Sequence, residues 1–410
     1  MKLPSRQILS WALYDWANSA FATTVMAGLF PLFFSDYWGG SQAHLARANS
    51  LASLVVALLA PLLGAIADRG GAKKRFLFSF TALGLVATGG FYLVGTGDWP
   101  AAFLLYVLGA IGFSGSLTFY DALLVGVAKK EEFDAVSALG YSLGYLGGGL
   151  LFAFDVAMVL SPETFGLSGQ AQAVKLAFLS VSAWWGLFSL PLLLWVPEPR
   201  QAQPLSLTAA VGAGWTELIA TFRHLRQLRP ALFFLVGYWF YIDAVDTIIR
   251  MAVSYGKTIG LGNQDLITAL LITQFVGFPA AIAYGSLGNK IGARRGIFLG
   301  LAVYVGVAVW SFFMDQGWEF YVLATVVALV QGGVQALSRS YFAQLVPADK
   351  SGEFFGFYNM LGKTATIIGP MLMVWAEALT HSPRYSILSL ILLLVVGAAF
   401  LWRAKPAARA

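Results

Sequence analysis

The chain contains no cysteine, and only three of its 410 residues are histidine. The first absence excludes disulfides, thiolate metal sites and a cysteine nucleophile. The second, with His44, His224 and His381 scattered along the chain, argues against a histidine metal cluster. Charge is scarce as well: Asp, Glu, Lys and Arg make up 11% of the residues, where soluble domains carry about 25%. Polar surface is too sparse to cover a soluble protein of this size. A phosphate-binding G-x-x-x-x-G-K-[ST] loop is missing, so ATP-driven pumping by this chain is not expected. No Ser/His/Asp arrangement supports an enzyme. What fills the space is apolar: 58% of the residues are hydrophobic, the composition of an all-α protein that crosses a membrane many times. The net charge of +6 then reflects basic loops on one side of the membrane rather than a nucleic-acid partner. The first apolar run is too long, and lacks the small-residue site, for a cleavable signal peptide.

A membrane-crossing helix needs about 20 mostly apolar residues. Twelve such runs are predicted, near 8–35, 45–67, 76–96, 101–127, 133–160, 174–196, 231–255, 265–287, 296–314, 319–346, 353–379 and 384–402. Placing both termini in the cytoplasm puts nineteen of the 26 lysines and arginines in inner loops and four (Arg47, Lys175, Lys257, Arg384) outside, a bias that sets orientation. The expected organisation is a six-helix bundle over 1–196, a cytoplasmic linker over 197–230 and a second six-helix bundle over 231–410. Within the linker, Leu218, Ile219, Phe222 and Leu225 recur at helical spacing against Arg223, Arg226 and Arg229. That pattern predicts an amphipathic helix on the membrane surface.

The two halves echo each other. Gly64, Asp68-Arg69, Gly71 and Lys74-Arg75 follow the second span, and Gly285, Asn289-Lys290, Gly292 and Arg294-Arg295 follow the eighth. Glycine lets neighbouring helices approach closely. The acidic residue can meet the positive N-terminus of a neighbouring helix, and the basic cluster holds the short loop on the inner leaflet. Tyr14-Asp15 of the first span returns as Tyr241 and Asp243 in the seventh, with Asn18 answered by Asp246.

At these residues the chain resembles the major facilitator superfamily, whose loop between spans two and three carries the pattern G-x-x-x-D-R/K-x-G-x-R/K-R/K. Trp11–Phe21 (WALYDWANSAF) and Gln331–Pro347 (QGGVQALSRSYFAQLVP) narrow the likeness to the autophagy-related vacuolar effluxer family and its bacterial relatives. The resemblance implies two bundles alternating between inward- and outward-open states around a central site, in a bacterial inner membrane, and amino-acid export. Two departures stand out. The fourth span carries Tyr120-Asp121 where some proton-coupled members carry an arginine, and Gly140–Gly149 of the fifth lacks the proline of the usual exchanger signature.

Charge at mid-membrane is unfavourable on every scale, so such residues face the bundle interior or a water-filled cavity. The candidates for substrate binding or coupling are Asp15, Asp121, Asp243, Asp246, Arg250, Arg339 and Lys363, with Tyr14, Asn18, Tyr120, Tyr241 and Asn359 beside them. Asp243, Asp246 and Arg250 share one helix face. Asp246 and Arg250 stand at i, i+4, where an ion pair is possible, which leaves Asp243 to bind a substrate amine or carry a proton. Arg339 and Lys363 either pair across helices with Asp15 and Asp121, locking one transport state, or bind an anionic substrate group. Asp155 and Glu377 fall near predicted outer ends and read as interfacial.

The expected function is secondary transport of a small polar solute, an amino acid or similar zwitterion. The expected partners are that solute and membrane lipid, with a proton or cation as coupling species, no cofactor otherwise, and a monomeric state. A sugar, drug or organic anion on the same fold, or a lipid handled by a transporter or scramblase, are the alternatives.

Overall fold

A computed structural model describes residues 4–198, 228–258, 262–314, 316–365, 368–381 and 383–405. The expected amphipathic helix, with Leu218 to Arg226, lies outside the described residues, as does the Arg250 side chain. Among those described, eleven helices are long and apolar enough to cross a membrane. They supply the first span (Arg6–Asp36), second (Gln42–Gly70), third (Lys73–Leu93), fourth (Trp99–Val127), fifth (Lys130–Leu160), sixth (Gln170–Trp195), seventh (Arg229–Ile249), eighth (Gln264–Ile291), ninth (Ala293–Phe313), tenth (Gly317–Leu345) and twelfth (Arg384–Arg403).

The eleventh departs from the continuous 353–379 helix that hydropathy predicts. It is two shorter helices, Ser351–Thr364 and Ile368–Thr380. Pro370 explains the break: it has no N–H to give the preceding turn and its ring crowds that turn's carbonyl, yet it fits the first turn of a new helix. The first span is interrupted too. An α-helix over Arg6–Ala20 widens into a π-helix over Phe21–Leu29 and returns to α-geometry at Phe30–Asp36. Pro31, which has no N–H to give the turn before it, sits just past the end of the widened segment.

Helix ends follow local chemistry. The Ser5 hydroxyl accepts from the Ile8 amide, and Ser41 and His44 satisfy each other's amides at the start of the second span. That span stops at Gly71, whose φ of 54° belongs to the left-handed region that glycine occupies without cost.

The first span packs against the fifth and sixth, the third against the fourth and sixth, and the second against the fourth. In the other half the eighth and ninth pack on the tenth, and the seventh and ninth on the twelfth. Two seams join the halves: the second span with Ser351–Thr364, and the fifth with the eighth and tenth. The first seam is close enough that a Cβ on Gly64 would collide with the Gly352 carbonyl, and one on Gly356 would lie 2.6 Å from the Ala60 carbonyl oxygen. Small residues of this kind let membrane helices touch backbone to backbone.

Candidate functional site

Between the halves lies a cavity of about 1020 Å³. Its lining runs from Asp15, Asp121 and Arg339 at depth to Gln42, Phe320, Glu377 and Ser386, at the helix ends opposite the basic loops. The cavity is therefore closed towards the basic end of the protein and extends to the other.

Arg339 of the tenth span is the floor, 1% exposed. Its Nε donates to Ser137 Oγ at 2.8 Å, and Nη1 donates to Asp121 Oδ1 at 3.1 Å and Asp15 Oδ2 at 3.3 Å. Nη2 donates to Asp15 Oδ2 at 3.3 Å and to the Ser137 carbonyl at 2.9 Å. A guanidinium has five N–H groups, and all five are engaged. Its plane also lies against the rings of Tyr141 (4.4 Å to the centroid), Trp11 (4.9 Å) and Tyr120 (5.3 Å), an attraction that strengthens away from water. The carboxylates are tied further: Tyr120 donates to Asp15 Oδ2 at 2.8 Å and Asn359 Nδ2 to Asp121 Oδ2 at 3.1 Å. Space for this comes from Gly140, where a Cβ would sit 2.6 Å from Asp15 Oδ2. Buried charges persist only when paired and hydrogen-bonded in this manner.

The remaining sequence candidates separate into those on the cavity and those off it. Asn18, Asp246 and Lys363 line it, with the Lys363 ammonium 5.8 Å from the Phe113 ring centroid. Tyr14 turns to the third span, its hydroxyl 2.7 Å from Thr81 Oγ1, and Tyr241 pairs with Ser338 at 2.7 Å. Asp243 also lies off the cavity wall. Its Oδ2 accepts from the Ile368 amide at 3.0 Å and its Oδ1 from the Gly369 amide at 3.1 Å and from Thr247 at 3.2 Å. It caps the second piece of the broken eleventh span, where an anion meets the orphan amides and positive end of a helix. The sequence expectation of a carboxylate without a local partner is corrected here: Thr247, one helical turn on, is such a partner, and two backbone amides reach it from 125 and 126 residues away. Asp155 is corrected as well: instead of interfacial, it is fully buried, bonded by Thr24 and Ser180.

Below the floor the basic end is sealed by polar contacts. Asp68 accepts the Gly352 and Glu353 amides at 2.9 and 2.8 Å, and Lys73 Nζ lies 2.7 Å from Asp68 Oδ1 while donating to Ser351 Oγ at 3.0 Å. Asp134 accepts from Ser340 at 2.6 Å and Gln344 at 3.1 Å, and Ser137 donates to the Ala336 carbonyl at 2.8 Å. Glu198 accepts the Lys73 and Lys74 amides, capping the third span. Burial pushes its carboxyl up from the usual range, and those amides and both lysines pull it back. The repeat motif divides: Arg75, Asn289, Lys290 and Arg295 are exposed, Arg69 and Lys74 half-buried, and Arg294 donates to the Trp402 carbonyl. Sequence reasoning missed Trp11, Lys73, Asp134, Ser137 and Tyr141. The spacing of Asp134, Ser137 and Tyr141 at i, i+3, i+7 marks one helix face and carried the signal.

Residues 41–407 match the family described as vacuole effluxer Atg22 like. The chain is 39% identical over 410 residues to the uncharacterised MFS-type transporter YxiO of Bacillus subtilis (strain 168), covering 98% of this chain and 95% of that one. Among solved structures, the human organic anion transporter MFSD10 (TETRAN) shares the fold with a TM-score of 0.72 at 14% identity, covering 97% and 99% of the two chains. The MFS transporter FucP in the outward conformation gives 0.71 at 13%, covering 98% and 100%. The chain belongs to the Atg22-like vacuole effluxer family and is a multi-pass membrane transporter built on the major facilitator fold.

Proposed function

We propose that the protein carries an amino acid or a similar small zwitterion through this cavity by alternating access, in the plasma membrane of a bacterial cell. The reading rests on two buried polar atoms with no hydrogen-bond partner among the described residues, one on each half: Asn18 Nδ2 of the first span and Gln331 Oε1 of the tenth, both of residues that line the cavity. Buried polar atoms in native proteins are nearly always bonded. An open donor on one half and an open acceptor on the other suit a polar solute that bridges them. Asp246 and Lys363 give the same wall both signs of charge, which suits a zwitterion better than a sugar or a simple anion. Arg339, with every N–H in use, serves as the gate rather than the anchor. The excess of lysine and arginine at the basic end supports a cytoplasmic position for it, so the cavity described here faces outward. The six-span units 1–196 and 231–410, joined by the 197–230 linker, would rock about the floor.

Counterflow in proteoliposomes tests the class of solute. An amino-acid mixture is expected to compete, and Asn18→Ala or Gln331→Ala to raise the half-saturating concentration about tenfold, the value of one hydrogen bond to a charged or strongly polar group. A signal from sugars or organic anions with none from any amino acid overturns the reading.

A further inference from the structure

Asp155 of the fifth span has no role in the gate or on the cavity wall, yet it is 0% exposed. An ionisable group inside a membrane span that is neither paired nor interfacial marks a functional site. Charged groups on the neighbouring elements have partners of their own: Asp15 of the first span and Asp121 of the fourth bond to Arg339 of the tenth, and Asp36 accepts from Ser35. The sixth carries Lys175, whose ammonium lies over the Tyr37 ring, and the eighth carries Asp265, which accepts from Tyr321. On its own helix the nearest titratable side chain is Tyr145, ten residues or about 15 Å along, and Glu163 lies in the turn beyond. Among the described residues no charged group pairs with Asp155.

Hydrogens settle what the carboxyl needs. Ser180 Oγ lies 2.8 Å from Asp155 Oδ1 and also 2.8 Å from the Ala177 carbonyl oxygen, while Thr24 Oγ1 lies 3.3 Å from Asp155 Oδ2. A serine hydroxyl has one hydrogen to donate. With a carboxylate, two acceptors compete for it and one short contact has no hydrogen. With a carboxylic acid, Asp155 donates to Ser180, Ser180 donates to Ala177, and Thr24 donates to the other carboxyl oxygen. Each contact then holds one hydrogen.

The position connects this group to the moving parts. Thr24 belongs to the π-helical segment of the first span, a geometry concentrated at functional sites. Its neighbour Thr23 accepts from Gln274 Nε2 of the eighth span at 2.8 Å, a buried contact between the halves on the cavity wall. Consecutive residues of one widened turn thus hold the buried carboxyl on one side and the opposite half of the protein on the other.

We propose that Asp155 is a proton-binding site that couples transport to protons: the carboxyl holds its proton, shut off from cavity water, in the outward-facing state described here and exchanges it with water only after the halves rearrange, with Thr24 and Thr23 conveying its state to Gln274. The proposal rests on the transport reading above, and its test separates the two. Infrared difference spectra of the full-length protein in lipid, recorded between acidic and alkaline pH without any solute, are expected to show a carboxylic-acid C=O band that Asp155→Asn removes. Ser180→Ala is expected to move the titration midpoint of that band by about one pH unit, the scale of one hydrogen bond. In proteoliposomes, Asp155→Asn is expected to keep counterflow of an amino-acid mixture but lose stimulation by an imposed pH gradient. A band that survives Asp155→Asn, a midpoint untouched by Ser180→Ala, or stimulation by a sodium gradient alone overturns the proposal. Loss of counterflow in the unmodified protein strikes the solute assignment and leaves the infrared result standing.

Discussion

The two copies of the repeated loop share their glycines and their spacing but close the basic end by different chemistry. In the first copy Asp68 reaches across the seam to two backbone amides of the eleventh span and is braced by Lys73. In the second copy Asn289 stands exposed. Its seam is held instead by Asp134 of the fifth span, whose Oδ1 receives Ser340 and Gln344 of the tenth. Gly285 keeps its steric role, since a Cβ there would collide with Ala138. A repeat in sequence is thus a repeat of shape, and the latch follows the charge.

Asp68→Ala should break the comparison most strongly. It strands two partly buried amides and an ammonium, at about 3 kcal/mol or roughly a hundredfold shift away from the closed basic end. Because the chain has no cysteine, Ala343→Cys, buried beneath the floor, gives a single thiol whose labelling rate reads that shift. Asp134→Ala should act in the same direction by about 1.5 kcal/mol, near tenfold, because it frees only side-chain donors. Asn289→Ala should change labelling less than about threefold, as surface substitutions do. Equal effects at Asp68 and Asn289 would show that the two copies latch alike.

Much of this architecture was legible in the sequence. Spans, loops and the repeat follow from hydropathy, charge bias and glycine spacing, all of which act locally. The pairing of Arg339 with Asp15 and Asp121 was one of the two readings that charges inside apolar spans left open. What escaped depends on tertiary placement. Hydropathy runs unbroken through 353–379, so it gave neither the break before Pro370 nor the meeting of the Ile368 and Gly369 amides with Asp243. Asp155 was misread because its distance from a predicted helix end says nothing of the hydroxyls that enclose it. The π-helix of the first span left no periodic trace.

The broken eleventh span has a mechanical consequence. Ser351–Thr364 is packed chiefly on the second and fourth spans, with Tyr358 stacked on Tyr238 of the seventh, whereas Ile368–Thr380 is packed on the twelfth and seventh. One stretch of chain is therefore divided in allegiance, its beginning shared between the two halves of the protein and its end held by the second. When the basic end opens, either the clamp on the second span lets go or the strain falls on the joint at Ala365, where Asp243 grips the far piece. That aspartate then acts as the rivet that decides which side of the joint gives way.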